Sequence, residues 1–180
     1  MDALEEQGQS NDTLLGTIDK MRKAGWPRNL ATDDHPGMDL PSPLTKDAMC
    51  ELMERLNEQA RKETKKKKAR NGIKDILHAK YALQIAVGYM DVVRKLPSVV
   101  HVNTQQSGKI TVVGDLHGQL RDLIHIFRHN GMPSFDNPYL FNGDLVDRGD
   151  YSVEIVLLLF GFAVADPGSI YINRGNHEDM

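Results

Sequence analysis

From Leu44 onward the apolar positions follow a helical period. Met49, Leu52, Met53 and Leu56 recur on one face, with Thr45 placed to cap its start. That face dissolves into Arg61, Lys62, Lys65 to Lys68 and Arg70 and reaches Asn71-Gly72, a helix stop. A second helix is predicted from Ile73 to Leu96, on Ile73, Ile76, Leu77, Tyr81, Ile85, Tyr89, Val92, Val93 and Leu96, and Pro97 ends it. After residue 108 the period changes. Lys109-Ile110-Thr111-Val112-Val113 is β-branched and predicts a buried strand. Leu120, Leu123, Ile124 and Phe127 mark a helix closed by Asn130-Gly131 and Pro133. Tyr139-Leu140-Phe141 predicts a second strand, Val153 to Ala165 a very apolar helix stopped by Asp166-Pro167-Gly168, and Ile170-Tyr171-Ile172 a third strand. Helices followed by β-α-β-α-β predict an α/β fold with parallel strands.

Residues 1–43 lack this patterning. They hold four Lys/Arg against eight Asp/Glu, and Pro36, Pro41 and Pro43 favour an extended path. We read 1–43 as a mostly disordered acidic tail and 44–180 as the folded part. One island, Leu14, Leu15, Ile18 and Met21, fits a short helix between Asp12 or Thr13 and Gly25, with Trp26 as an anchor; so short a segment is marginal by itself.

Composition narrows the class. Apolar residues make up 40% and charged residues 26%, which suits a globular protein rather than a disordered or fibrous one. A formal charge of −3 is too balanced for a protein that coats nucleic acid. The single cysteine, Cys50, has no internal partner, and the start MDALEEQGQS is not a signal peptide, so a cytoplasmic setting is expected, with the nucleus as an alternative. The longest uncharged apolar stretch, Ile155 to Ala165, falls short of the roughly 20 residues that span a bilayer. Residues 44–72 carry nine basic and five acidic groups. Their lysine run reads first as the solvated last turns of a helix, and otherwise as a nuclear-import tag, a phosphate patch or a contact for calmodulin or another regulatory partner around Lys65.

Each predicted strand runs into a polar motif: Gly114-Asp115-Leu116-His117-Gly118, then Asn142-Gly143-Asp144-Leu145-Val146-Asp147-Arg148-Gly149, then Asn173-Arg174-Gly175-Asn176-His177-Glu178-Asp179. Ligands of open α/β sheets bind outside the carboxyl ends of the strands, so the motifs should meet in one crevice. Asp115 and His117 can close on one cation, Asp144 can bridge to a second, and Asn176 offers that second ion an amide oxygen. An O/N donor set without thiolate suits Mn, Fe, Zn or Mg. Paired cations lower the pKa of a shared water for attack at phosphorus. His177 then protonates the departing alkoxide, Asp147 orients that imidazole, and Arg148 grips phosphate oxygens. Taken singly, the motifs read as a turn with a hydrogen-bonded histidine, a loop ion pair and a helix cap. Their succession at three strand ends removes those separate readings.

The sequences GDLHG, GDLVDRG and RGNHE, in this order, resemble the metallophosphoesterase core of the serine/threonine phosphoprotein phosphatases. The resemblance covers most of the second half and weakens back to about Leu44. It implies the first half of a calcineurin-like metallophosphoesterase β-sandwich flanked by helices. It also implies two divalent metals (Mn, Fe or Zn) and hydrolysis of phosphoserine and phosphothreonine in phosphoprotein substrates. Asp115 and His117 would ligate the first metal, Asp144 would bridge, Asn176 would ligate the second, and His177, Asp147 and Arg148 would be the catalytic groups. Leu116 and Asp179 are more similar to the branch with EF-hands than to the TPR-containing branch.

In that family the catalytic domain continues past the third motif, so the resemblance implies an apparently truncated chain that lacks further metal-ligating histidines. Impaired activity and a partly bare Val153–Ala165 helix are then expected. A catalytically dead partner-binding or competing fragment and a small-phosphoester hydrolase are the alternative readings.

Overall fold

Three short strands run side by side in parallel, β1 (Thr111–Val113), β2 (Tyr139–Phe141) and β3 (Ile170–Ile172), in the order β1-β2-β3. Their register sets Thr111 beside Tyr139 and Tyr139 beside Ile170, so all three chains leave the sheet at the same edge. Four α-helices with described bounds accompany them: α1 (Lys46–Lys66), α2 (Ala79–Val93), α3 (Leu120–Asn130) and α4 (Ser152–Ala165). The computed structural model describes Gly16 and residues 35–66 and 72–179. The expected helix around Leu14 to Met21, the Trp26 anchor and the side chains of Lys65 to Lys68 lie outside the described residues. The chain divides into two units, Met1–His35 and Pro36–Met180, and the second contains every element named here.

One sheet face builds the core. Val113, Tyr139, Phe141 and Ile170 are buried, whereas Val112 on the opposite face is 64% exposed. Phe127 of α3 meets Tyr139, Phe141 and Phe162 edge-on, with ring centroids 5.2, 6.3 and 5.7 Å away, the geometry that the aromatic quadrupole favours. Helix α4 lies at the centre, against α1, α2, α3 and β3. Its apolar girdle is therefore covered, with Ile155, Leu158, Leu159 and Phe162 inaccessible, and the bare surface expected on this helix is confined to Val153. Gly161 permits the close approach of α1, because a Cβ there would collide with Met49.

Two expectations fail for one shared reason. The segment after Pro36 is not tail: Met38 is 5% and Leu40 6% exposed, both within the core. The helix expected from Ile73 to Leu96 is broken; a one-turn 3₁₀ helix spans Ile73–Asp75 and α2 starts only at Ala79. The break lets Leu77 form a parallel bridge with Met38, whose N–H donates to the Ile76 carbonyl at 2.8 Å. His78 then takes an extended backbone, and its Nδ1 accepts the Lys80 N–H at 3.1 Å, capping α2. The Tyr81 hydroxyl donates to Asp39 Oδ1 at 2.7 Å and fastens the strap. Thr45 caps α1 as expected, accepting the Ala48 N–H at 3.3 Å.

Candidate metal centre

All three polar motifs lie at the strand edge from which β1, β2 and β3 exit, and backbone hydrogen bonds stitch them together. The Asp144 carbonyl accepts the N–H groups of Leu116 and His117 at 3.0 and 2.9 Å, and the Leu145 carbonyl accepts that of Gly118 at 2.9 Å. Gly143 has φ +93°, and a Cβ there would strike the Gly175 backbone nitrogen, so the second and third loops touch main chain to main chain. Among the described residues four non-glycines have positive φ: His117 (41°), Asp144 (50°), Asp147 (65°) and Arg148 (61°). All belong to these loops. Backbone held in the left-handed region marks sites where surrounding structure imposes geometry, each such residue costing about 1–3 kcal/mol.

Asp115, His117 and Asp144 each present a ligand atom within 4.8 Å of the others. The His117 Nδ1 lies 2.9 Å from the Val146 carbonyl, which can only accept. Nδ1 therefore carries the proton, and Nε2 faces the carboxylates with its lone pair, 3.8 Å from Asp115 Oδ2. Two carboxylates and an imidazole fixed by a carbonyl behind it fit a divalent cation in their chemistry and in their convergence. Asn176 opens the one-turn helix Asn176–Glu178, next to His177, whose N–H donates to Asp144 Oδ1 at 2.9 Å. Asn176 thus adjoins in the chain the residue whose N–H reaches the Asp144 carboxylate.

The predicted acid and its partner also meet. His177 Nδ1 donates to Asp147 Oδ2 at 2.9 Å, and the His177 Nε2 lies 3.3 Å from Arg148 Nη2. The His177 ring stands edge-on to His117 at 4.7 Å, so the acid pair adjoins the ligand group. Asp147 keeps 62% of its side chain in contact with solvent against 24% for His177, so the imidazole is the more sheltered partner.

Glu178 was not among the residues singled out from sequence. Its carboxylate accepts the N–H groups of Asp144 at 2.7 Å, Leu145 at 2.7 Å and Gly175 at 2.9 Å. Burial pushes this carboxyl up, but the amides of Leu145, Asp144, Gly175 and Val146 outweigh it and hold the group below its ordinary range. Its partners are main-chain atoms, which residue letters do not display; only its place directly after His177 could have pointed to it.

Comparison with known proteins agrees with this geometry. Residues 108–180 match the family model of the calcineurin-like phosphoesterases. Serine/threonine-protein phosphatase 5 of Arabidopsis thaliana is 54% identical over 102 residues, 57% of this chain and 19% of that protein. Serine/threonine-protein phosphatase with EF-hands 1 of Mus musculus is 37% identical over 176 residues, 98% of this chain and 23% of that protein. A solved protein serine/threonine phosphatase from Saccharomyces cerevisiae aligns with a TM-score of 0.53 at 39% identity, covering 57% of this chain and 33% of that one. The chain spans 19% and 23% of the length of the two curated relatives. Phosphatase 5 gives the higher identity and the EF-hand phosphatase the longer span. No described helix is long and apolar enough to cross a membrane. With three motif loops converging at one sheet edge and this sequence kinship behind them, residues 108–180 belong to the calcineurin-like phosphoesterase family.

Proposed function

We propose that this chain carries the first half of a metal-dependent protein phosphatase site acting on phosphoserine and phosphothreonine. The observation that carries the reading is the junction of the Asp115-His117-Asp144 group with the His177-Asp147 pair. Asp115 and His117 would hold one ion, Asp144 would reach both, and Asn176 would serve the second, with Mn, Fe or Zn as the metals that suit these donors. Bound there, the ions supply Lewis-acid activation of water and neutralise phosphate charge.

The chain's own residues do the rest. Arg148 projects into solvent beside His177 and offers a planar fork to phosphate oxygens. Asp147 holds the His177 ring by its Nδ1–H and stabilises the imidazolium, which delivers the Nε2 proton to the leaving serine or threonine oxygen. Glu178 fixes the backbone from which Asp144 and Gly175 project. Phosphoprotein substrates follow from the relatives, which are named serine/threonine-protein phosphatases.

Phosphate release from a phosphoserine peptide and from a dinucleoside polyphosphate, with added Mn²⁺, tests the proposal. The expected result is metal-dependent release from the peptide, lost in Asp144→Ala and in His177→Ala. Release that ignores Asp144→Ala, or that favours the dinucleotide, overturns it. Mn²⁺ binding without any turnover would replace it with the partner-binding reading.

A further inference from the structure

Away from the strand ends, the facing edges of α1 and α3 enclose a second polar pocket of about 230 Å³, lined by Asn57, Arg61, Arg121, Ile124, His125 and Arg128. Helical spacing assembles it. Asn57 and Arg61 are one turn apart on α1, while Arg121, His125 and Arg128 follow one stripe of α3. No carboxylate lines this pocket; of its three guanidinium groups, Arg128 is paired to Glu54 in the adjoining cleft, and Arg61 and Arg121 face the pocket beside it.

The neighbouring acids are already engaged. In the adjoining cleft Glu51 pairs with Arg55 at 2.7 Å, Glu58 with Lys62 at 2.8 Å and Glu54 with Arg128 at 2.7 Å. Arg128 meets Glu54 through Nη2 alone, which leaves its Nε and Nη1 donors. Among the described residues no ion pair engages Arg61 or Arg121.

Asn57, a polar residue of α1 only 8% exposed, also lines the pocket. Arginines sharing a concave wall repel one another. An oxyanion relieves that repulsion, accepting from the planar forks, which match phosphate geometry bidentately.

We propose that this pocket is an anion site for a phosphomonoester-type dianion, either the phosphate of a phosphorylated side chain or free inorganic phosphate. None of its lining residues belongs to the metal centre, and the proposal stands independently of the phosphatase reading.

The test is titration of the 180-residue chain with inorganic phosphate at low ionic strength, with chelator present and Arg148→Gln in place to silence the strand-end arginine. Calorimetry should show saturable binding that weakens about tenfold or more in an Arg61→Gln/Arg121→Gln double variant. Arg94→Gln, a charge-matched control, should leave it unchanged. The Asn57 side-chain amide resonance should shift with the same saturation curve, a readout needing no second-site variant. A phosphoserine peptide that binds more tightly than phosphate identifies a phosphorylated side chain as the occupant, and equal binding identifies the free ion. Absence of a saturable response, or a double variant that binds like its parent, overturns the proposal.

Discussion

Glu178 and Asp144 hold each other's loops in place from opposite sides. Glu178 Oε2 accepts the Asp144 N–H at 2.7 Å, and Asp144 Oδ1 accepts the N–H of His177, the residue before Glu178, at 2.9 Å. The second and third strand-end loops are thereby tied by reciprocal bonds, each from a carboxylate on one loop to main chain of the other. A carboxylate at position 178 thus sets where the carboxylate oxygens of position 144 can be.

Replacing Glu178 by Ala should therefore destabilise the fold by about 2 kcal/mol, because amides bonded to a charged acceptor lose it and only part of the deficit is made good by water. Glu178→Gln should fall between the two. Urea unfolding monitored by circular dichroism gives both values.

The same group sets an acid limit. Its carboxyl lies below the ordinary value of 4.5 in the folded chain, because four backbone amides outweigh the opposing effect of burial. A depressed folded value contributes stability above the unfolded value, and that contribution disappears as pH falls from about 4.5 through the folded value. Unfolding free energy measured across this window should decline in the parent, and the part due to residue 178 should be absent from Glu178→Gln.

Metal affinity should depend on side chains from two strand ends together. Asp115→Asn, His117→Ala and Asp144→Asn should each weaken Mn²⁺ binding by at least about tenfold, the size seen when a ligand or its immediate support is removed. Asp150→Asn, an exposed carboxylate in the second loop, should leave it unchanged. Calorimetric titration with Mn²⁺ distinguishes these outcomes.

Gly161→Ala should cost no more than about 1 kcal/mol, since the added methyl displaces only the flexible end of Met49 while alanine gains helix propensity over glycine. Combining it with Met49→Ala should be less harmful than the sum of the two single changes. A double-mutant cycle in urea measures that coupling.

The strands and the motif loops were legible because their signals are local. Thr111-Val112-Val113, Tyr139-Leu140-Phe141 and Ile170-Tyr171-Ile172 carry strand character in consecutive residues, and each stands directly before the polar group it delivers. The break before α2 was not legible. Ile76 and Leu77 fit a continuous helical face, and what pulls them out is a bridge to Met38, far away in the chain. Met38 and Leu40 were hidden for the complementary reason, as isolated apolar residues among prolines that gain a core only from α2 and its neighbours. The convergence of Asp115, His117 and Asp144 was readable from residue type and position after the strands, whereas the work of Glu178 was not, since it acts on peptide groups common to every residue. The pocket between α1 and α3 was not legible either, since Arg61 and Arg121 share a wall only once the two helices pack.

The four left-handed side-chain-bearing residues carry a consequence for how this region can vary. Glycine would relax each of those conformations, so His117→Gly or Asp147→Gly could leave a hardier polypeptide while erasing the chemistry. Selection for robustness alone would drift toward such changes. Persistence of bulky polar residues at awkward torsions is what a library screened for catalysis should retain, and one screened only for thermal endurance should discard.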